Sequence, residues 1–223
     1  MGGTRDVARM KGEDAKLNHD RNGPTVFVVD DDEVVRDSLR WLLEAAGFSV
    51  ETCVSGEDFL KVYDPRRPGC LIVDLRMPGM SGLDVQKILT EKKVPIPTIF
   101  LTGYGTIPHA VRAMRGGALD FITKPYNDQA LLDRVEQCLE RDRHIRRKHV
   151  EQARIEKRLA SLTPREREVM EHVVVGESNK AIATKLAISQ KTIEAHRAKV
   201  MEKMQADSLA KLVRMVVPDR NSS

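Results

Sequence analysis

The stretch TVFVVDDDE, Thr25–Glu33, decides how the first half of this chain folds. Four consecutive apolar residues, Val26–Val29, are followed at once by the carboxylates Asp30, Asp31 and Asp32. Such an apolar run is typical of a strand that is buried on both faces, as in a parallel sheet. Because neighbouring like charges repel one another, something must compensate this negative charge at the end of a buried strand.

Four more apolar runs follow, and amphipathic segments with helical periodicity separate them. The runs are FSVETCV, CLIVD, IPTIFLT and ALDFIT, and the helical segments lie at about Glu33–Ala46, Gly56–Tyr63, Gly82–Lys92, Ile107–Arg115 and Asn127–Glu140. This alternation predicts parallel βαβ units, with helices covering both faces of the sheet. We therefore predict an α/β fold with a doubly wound, five-stranded parallel sheet, which binds ligands at the carboxyl ends of its strands.

Charge divides the chain into two parts. Residues 1–140 carry 18 Lys and Arg against 22 Asp and Glu, a net charge of −4, whereas residues 141–223 carry 19 against 11, a net charge of +8. This asymmetry predicts two domains, the second with a polyanionic partner. We predict a disordered tail over 1–23, the α/β domain over 24–140, a helical linker over 141–160 and a small all-α domain over 161–223. The linker fits either a solvated spacer or a helix for dimerisation or interdomain signalling.

Composition also indicates the compartment. No apolar run reaches the ~20 residues of a membrane helix, and the amino terminus lacks the apolar segment of a secretory signal. Cys53, Cys70 and Cys138 are scattered without the spacing of a metal or redox motif. We expect a cytoplasmic protein with no membrane partner.

Polar residues stand at four of the predicted strand ends. Asp30 and Asp31 end the first strand, Asp74 ends CLIVD, Thr102 ends IFLT, and Lys124 follows DFIT. In a parallel sheet these ends converge on one edge. The three carboxylates would bind a hard cation such as Mg²⁺, and Asp74 would act as a nucleophile towards a phosphoryl group. Lys124 and the Thr102 hydroxyl would neutralise the oxygens of that group.

The motifs VVDDD, LIVDLRMPGMSG, FLTGYG and DFITKP resemble the CheY-like receiver domain of two-component response regulators. The resemblance covers about residues 25–140. It implies that a sensor histidine kinase phosphorylates Asp74, and that the backbone carbonyl of Arg76 completes the Mg²⁺ site of Asp30, Asp31 and Asp74. By the same resemblance Lys124 contacts the phosphate.

Thr102 and Phe121 match the positions of the receiver switch. The resemblance implies that the Thr102 hydroxyl responds to phosphorylation and couples to the aromatic ring at Phe121. Phe121 fits a plain core residue equally well.

The segment PTIFLTGYGTIPHAVRAMRGGALDFITKPY is similar to the FixJ-type subgroup of these regulators. The similarity implies that phosphorylation reshapes the fourth helix and fifth strand and drives homodimerisation. Val111 and Arg115 would lie in the dimer contact, although exposed helix residues are more often simply solvated.

The basic half contains four predicted helices with clear start signals. TPRE forms a capping box at Thr163, Gly176 ends that helix, and Ser178 and Ser189 can cap the next two. In QKTIEAHRAKVMEKM the apolar residues Ile193, Val200 and Met204 form a stripe that must face the core.

The opposite face of that helix has small residues at its centre and cations at its edges, which suits a DNA major groove. The predicted DNA contacts are Asn179, Lys180, Lys191, Thr192, Glu194, Ala195, His196, Arg197, Ala198 and Lys199. Any amphipathic helix has a polar face, so the residues alone leave the assignment open. The region from LTPRE to MEKM also resembles the LuxR/FixJ-type helix-turn-helix, which implies binding to double-stranded promoter DNA.

Together these features predict a transcriptional regulator, an activator working with RNA polymerase, that catalyses only its own phosphorylation and dephosphorylation. A constitutive DNA-binding regulator with a vestigial pocket is the alternative. A phosphatase acting on small substrates is disfavoured, because a haloacid-dehalogenase-like enzyme needs a second acid two residues after Asp74, where this chain has Arg76.

Overall fold

The computed structural model describes residues 23–217. The predicted tail therefore lies outside the described residues, except for Gly23. The described chain divides into two compact units, and the boundary along the chain falls between Ile145 and Arg146. The domain boundaries proposed from the sequence stay a prediction.

The first unit contains a parallel sheet of five strands. They are β1 (Thr25–Val29), β2 (Ser49–Cys53), β3 (Gly69–Val73), β4 (Thr98–Thr102) and β5 (Asp120–Thr123). Their order in the sheet is β2-β1-β3-β4-β5, and every neighbouring pair is parallel. Because the chain winds first to one side of β1 and then to the other, the predicted doubly wound fold is confirmed.

Five helices accompany these strands. They are α1 (Glu33–Ala45), α2 (Gly56–Val62), α3 (Gly82–Glu91), α4 (Ile107–Arg115) and α5 (Asp128–Ala160). The first four agree with the predicted helices to within one residue at each end.

The side chains of β1 show why both faces of the sheet are covered. Val26 and Val28 pack into a core with α1 and α5, whereas Phe27 and Val29 pack into a second core with α2, α3 and α4. Successive strand residues point to opposite faces, so a continuous apolar run serves both layers.

The predicted fifth helix and the predicted linker form one helix of 33 residues, α5. Asp142, in the first turn of the predicted linker, is only 1% exposed, and its Oδ2 accepts a hydrogen bond from the Gly69 N–H at 3.0 Å. One side of this turn is therefore packed against the start of β3, while Arg141 and Arg143 on either side of Asp142 remain exposed. Near the other end of α5, Leu159 packs against the core of the second unit.

The second unit contains four further helices among the described residues. They are α6 (Pro164–Val174), α7 (Asn179–Leu186), α8 (Gln190–Met204) and α9 (Leu209–Val216). The capping box of Thr163 and Glu166 and the caps of Ser178 and Ser189 are confirmed. The Glu166 carboxylate also accepts a hydrogen bond from Lys203 Nζ at 2.6 Å, which joins the start of α6 to the last turn of α8.

Candidate functional site: an acidic pocket and a DNA-binding helix

The carboxyl ends of the strands bring the predicted pocket residues together. Asp30 follows β1, Asp74 follows β3, Thr102 ends β4 and Lys124 follows β5. Asp30, Asp74 and Thr102 are buried, and Lys124 is partly buried. The Lys124–Pro125 peptide bond is cis. Convergence follows from parallel pairing, which places the end of each strand on the same edge.

One ammonium group bridges the two buried carboxylates. Lys124 Nζ lies 2.8 Å from Asp30 Oδ2 and 3.7 Å from Asp74 Oδ1. The other oxygen of Asp30 accepts a hydrogen bond from the Asp32 N–H at 3.0 Å, and Arg36 donates to the Asp30 backbone carbonyl at 2.8 Å. Asp30 is therefore held on both sides, whereas Asp74 has the longer contact with Lys124.

Asp74 lies in an environment that favours its protonated form. Burial raises the pKa of the Asp74 carboxyl above its usual range, and the nearby charge of Asp30 adds to the rise. The Arg76 N–H, which donates to Asp74 Oδ2 at 2.6 Å, opposes the rise, as do Lys124 and the Thr102 hydroxyl. The carboxylate is thus oriented by a backbone donor and incompletely neutralised.

The charges of the pocket suit a divalent cation. Asp30, Asp31, Asp74 and Lys124 carry three negative charges and one positive charge, a formal charge of −2. Asp31 is exposed, and no group of three or more His, Cys, Asp or Glu within residues 23–217 is already arranged to hold a metal. Receiver domains generally bind Mg²⁺ through oxygen ligands, and these carboxylates with the Arg76 carbonyl have that chemistry. The predicted ligand set remains a prediction.

The Thr102 hydroxyl lies between the pocket and the loop that leads to α4. It accepts a hydrogen bond from the Tyr104 N–H at 3.2 Å. Phe121 is partly buried, and the centre of its ring lies 6.1 Å from the centre of the Phe100 ring. The ring also packs closely against Gly105, because a Cβ on Gly105 would lie 2.6 Å from Phe121 Cε1. This position agrees with a core residue and with a ring that responds to Thr102, so both interpretations stand.

A cation–π pair at this edge could not be predicted from the sequence. The Arg76 guanidinium lies 5.5 Å from the centre of the Tyr104 ring, and it joins the loop after β3 to the loop after β4. The two residues are 28 positions apart, and only the pairing of β3 with β4 brings them together.

The helix α4 presents an apolar surface to solvent. Val111 and Arg115, the predicted dimer contacts, are both exposed. Ile107 and Met114, which are not among the predicted contacts, are 82% and 47% exposed on the same helix. Their apolar character was visible in the sequence, but only the packing of α4 shows that they are uncovered.

The predicted recognition helix is α8, and its buried stripe is confirmed. Ile193, Val200 and Met204 are at most 1% exposed. Of the predicted DNA contacts, His196, Arg197 and Asn179 are partly buried. The others are exposed: Lys180, Lys191, Thr192, Glu194, Ala195, Ala198 and Lys199.

Several of these predicted contacts have partners within the unit. Arg197 donates to Asn179 Oδ1 at 2.8 Å, which ties α8 to the start of α7. Lys199 forms an exposed ion pair with Glu202 at 3.0 Å, and this pair raises the pKa of Lys199.

The Thr192 hydroxyl is shared with the cap of α8, because its Oγ1 lies 2.8 Å from Ser189 Oγ. Within the part of the chain that the structure describes, no ion pair holds Lys180 or Lys191. Among the cations predicted to contact DNA, these two lysines are therefore the most available to phosphates.

Comparison with known proteins matches both units of the chain to protein families. Residues 26–136 match the model of the response regulator receiver domain, and residues 160–216 match that of the luxR family of bacterial regulatory proteins. The transcriptional regulatory protein FixJ of Rhizobium meliloti is 45% identical over 196 residues, which cover 86% of this chain and 95% of that protein. FixJ of Bradyrhizobium diazoefficiens is 42% identical, over 86% of this chain and 94% of its own length.

The chain belongs to the FixJ-type response regulators.

Solved structures place this response regulator in the same group. The response regulator StyR superimposes with a TM-score of 0.78 at 46% identity, covering 86% of this chain and 98% of that chain. Full-length FixJ from B. japonicum gives a TM-score of 0.54 at 41% identity, covering 87% of this chain and 96% of that chain. The family consists of two-component transcriptional regulators with a receiver domain and a DNA-binding helix-turn-helix domain. None of the helices within residues 23–217 is long and apolar enough to cross a membrane.

Proposed function

We propose that this response regulator accepts a phosphoryl group on Asp74 from a sensor histidine kinase and thereby gains affinity for promoter DNA. The observation that carries the proposal is the contact of Lys124 with both Asp30 and Asp74 at the carboxyl edge of the sheet. An oriented carboxylate next to a cation and a hydroxyl is the arrangement that phosphoryl transfer to a side chain requires.

The residues of the pocket would divide the chemistry between them. An Asp74 oxygen forms the new bond to phosphorus as the bond from phosphorus to the kinase histidine breaks. Lys124 and the Thr102 hydroxyl stabilise the phosphoryl oxygens. Asp30, Asp31, Asp74 and the Arg76 carbonyl would hold Mg²⁺, which supplies further neutralisation of those oxygens when it is bound.

Phosphorylation would then act through the loop after β4. The Thr102 hydroxyl would turn towards the phosphoryl group and give up its bond with the Tyr104 N–H, which changes the start of α4. Val111 and Arg115 would form the contact between two copies of the chain. Because phosphorylation shifts a population, the unmodified protein would keep weak activity.

The second unit would bind the major groove through α8. Ala195 and Ala198 allow close approach, and Lys191 and Lys199 contact phosphates on either side. We infer that two such units, paired in a dimer, bind two half-sites and recruit RNA polymerase as an activator in the cytoplasm.

The test combines intact mass with DNA affinity. Wild type, Asp74→Asn and the exposed-acid control Asp37→Asn are treated with acetyl phosphate and Mg²⁺. We expect wild type and the control to gain one phosphoryl group, to dimerise and to bind promoter DNA more tightly, while Asp74→Asn does none of these. A phosphoryl group on Asp74→Asn would contradict the assignment of the acceptor.

A constitutive regulator with a vestigial pocket is the second candidate. It is favoured by the bonds that Asp30 already makes with Lys124 and the Asp32 N–H, which hold the Asp30 carboxylate in place without a ligand. Beryllofluoride, which mimics the phosphoryl group, separates the two proposals. Mg²⁺-dependent binding of beryllofluoride with tighter DNA binding supports the switch, whereas DNA binding that ignores it supports the vestigial pocket.

A further inference from the structure

The helix α4 is weakly held along most of its length. Ala113 is its only buried residue, and Ile107 in its first turn is 82% exposed. Thr106, at the N-cap, makes no side-chain hydrogen bond to the backbone of the helix. The Thr106 hydroxyl instead lies 2.9 Å from His109 Nδ1 within the same helix. With so little buried surface, the start of α4 gains little from tertiary packing, and the missing backbone cap removes a further local stabilisation.

The carboxyl end of α4 has a specific attachment. Gln86 of α3 is only 7% exposed, and its Nε2 donates a hydrogen bond to the Ala113 carbonyl at 2.9 Å. Gln is rarely buried, and a buried amide without a partner is costly. The bond therefore fixes the position of Ala113 relative to α3.

Gly116 provides the space for this attachment. A Cβ at Gly116 would lie 2.5 Å from Gln86 Oε1 and 2.7 Å from its Cδ, closer than non-bonded atoms approach. The φ angle of Gly116 is −74°, which any residue adopts, so its backbone does not require glycine. What requires glycine here is the amide of Gln86.

The two ends of α4 consequently differ. The start follows Thr102 and Tyr104, which lie at the pocket, while the end is attached to α3 through Gln86 and Ala113. We propose that Gln86 is a positioning residue that holds the carboxyl end of α4, so that a change at Thr102 turns the helix about Ala113. The proposal rests on the proposed function in one respect, namely that phosphorylation acts through α4.

Gln86→Met tests the bond directly, because Met keeps the length of the side chain and cannot donate. The control is Thr90→Val, which removes a hydrogen bond from the Thr90 hydroxyl to the Gln86 carbonyl within α3 and leaves α4 untouched. Amide hydrogen exchange over residues 103–117 is measured with and without beryllofluoride and Mg²⁺. In wild type we expect beryllofluoride to change exchange at 103–111 and to leave 113–117 protected.

In Gln86→Met we expect exchange at 113–117 to rise roughly fivefold to tenfold in both states, the worth of one hydrogen bond. Thr90→Val should keep the wild-type pattern. Exchange in Gln86→Met that matches wild type, or that rises equally over the whole receiver domain, would overturn the proposal. An α4 in wild type that ignores beryllofluoride, or changes equally at both ends, would overturn it too.

Gly116→Ala provides a second test that alters neither partner of the bond. The added methyl group should displace the Gln86 amide and raise exchange at 113–117 as Gln86→Met does. In Gln86→Ala/Gly116→Ala the methyl group has room, so the double variant should exchange no faster than Gln86→Ala alone. If the increases in amide exchange of the two single variants added up in the double variant, Gly116 would act independently of Gln86.

Dimerisation is measured separately by sedimentation with beryllofluoride. We expect Gln86→Met to dimerise several-fold more weakly than wild type, with an unchanged rate of phosphorylation by acetyl phosphate. A wild type that stays monomeric while its exchange pattern follows the expectation would refute dimerisation and support the attachment.

Discussion

The pocket around Asp74 takes its side chains from four strand ends, and Lys124 and Asp30 are 94 residues apart in the chain. The predicted DNA contacts, by contrast, lie mainly on one helix, α8, which buries Ile193, Val200 and Met204 behind them. The pocket therefore depends on the correct assembly of a whole sheet. The predicted DNA-binding face depends on helical periodicity and one small core. Distant substitutions should affect the first site, and substitutions on the surface of α8 should affect the second.

The largest expected effect is on DNA recognition. Ala195→Leu places a bulky side chain where α8 should approach the bases. We therefore expect the difference in binding free energy between operator and random DNA to shrink by about 2–3 kcal/mol. Binding to operator and random DNA is compared by fluorescence anisotropy. Ala153→Leu, on an exposed position of α5, is the matched control. An unchanged preference in Ala195→Leu would mean that another face of α8 enters the groove.

The next effect tests whether the receiver domain depends on a distant contact. Asp142→Ala leaves the buried Gly69 N–H without its carboxylate acceptor, so we expect unfolding of the receiver domain to become easier by about 1–3 kcal/mol. Urea denaturation followed by circular dichroism measures this change. Asp142→Asn keeps an acceptor oxygen for the Gly69 N–H, so it should lose less stability than Asp142→Ala. Equal stability of wild type and Asp142→Ala would show that the bond contributes nothing.

A smaller effect concerns the charge of the pocket. Because burial raises the pKa of Asp74 in the folded protein, ionisation of this group lowers stability as pH rises above the ordinary value of ~3.9. In the presence of a chelator Asp74→Asn should be more stable than wild type at pH 7, and the difference should vanish below about pH 3.9, where the carboxyl is protonated in both the folded and the unfolded protein.

Thermal unfolding over a pH series measures the charge effect. The exposed Asp31→Asn serves as its control and should change stability less. A stabilisation of Asp74→Asn that persists undiminished in acid would point to packing and not to charge.

The smallest expected effect separates two lysines of the predicted DNA-binding face, Lys191 and Lys199. Lys191 has no ion pair among the described residues, whereas Lys199 is paired with Glu202. Lys191→Gln should reduce the slope of log affinity against log salt by ~0.9, and Lys199→Gln should reduce it by less. Titrations at several salt concentrations give both slopes. A larger change for Lys199→Gln would mean that DNA breaks its pair with Glu202.

Much of the fold was predictable from local patterns. Apolar runs and helix-period segments predicted the strands and helices of the sheet, and the capping residues Thr163, Ser178 and Ser189 predicted the helix starts. The length of α5 was not predicted as a unit, because its amphipathic pattern changes after Glu140 while its backbone continues as a helix. Burial of Asp142 could not be foreseen, since its partner Gly69 is 73 residues away.

The sequence by itself determined which residues stand at the ends of strands and which residues share a face of α8, because both follow from the geometry of a single element. Only the tertiary structure decided that Lys124 contacts both Asp30 and Asp74, that Asp31 stays exposed, and that Arg197 is paired with Asn179. Gln86 belongs to this second group, for its buried amide is understood only once α3 and α4 lie side by side. Contacts between segments distant in the chain depend on the packing of whole elements, and no local pattern encodes them.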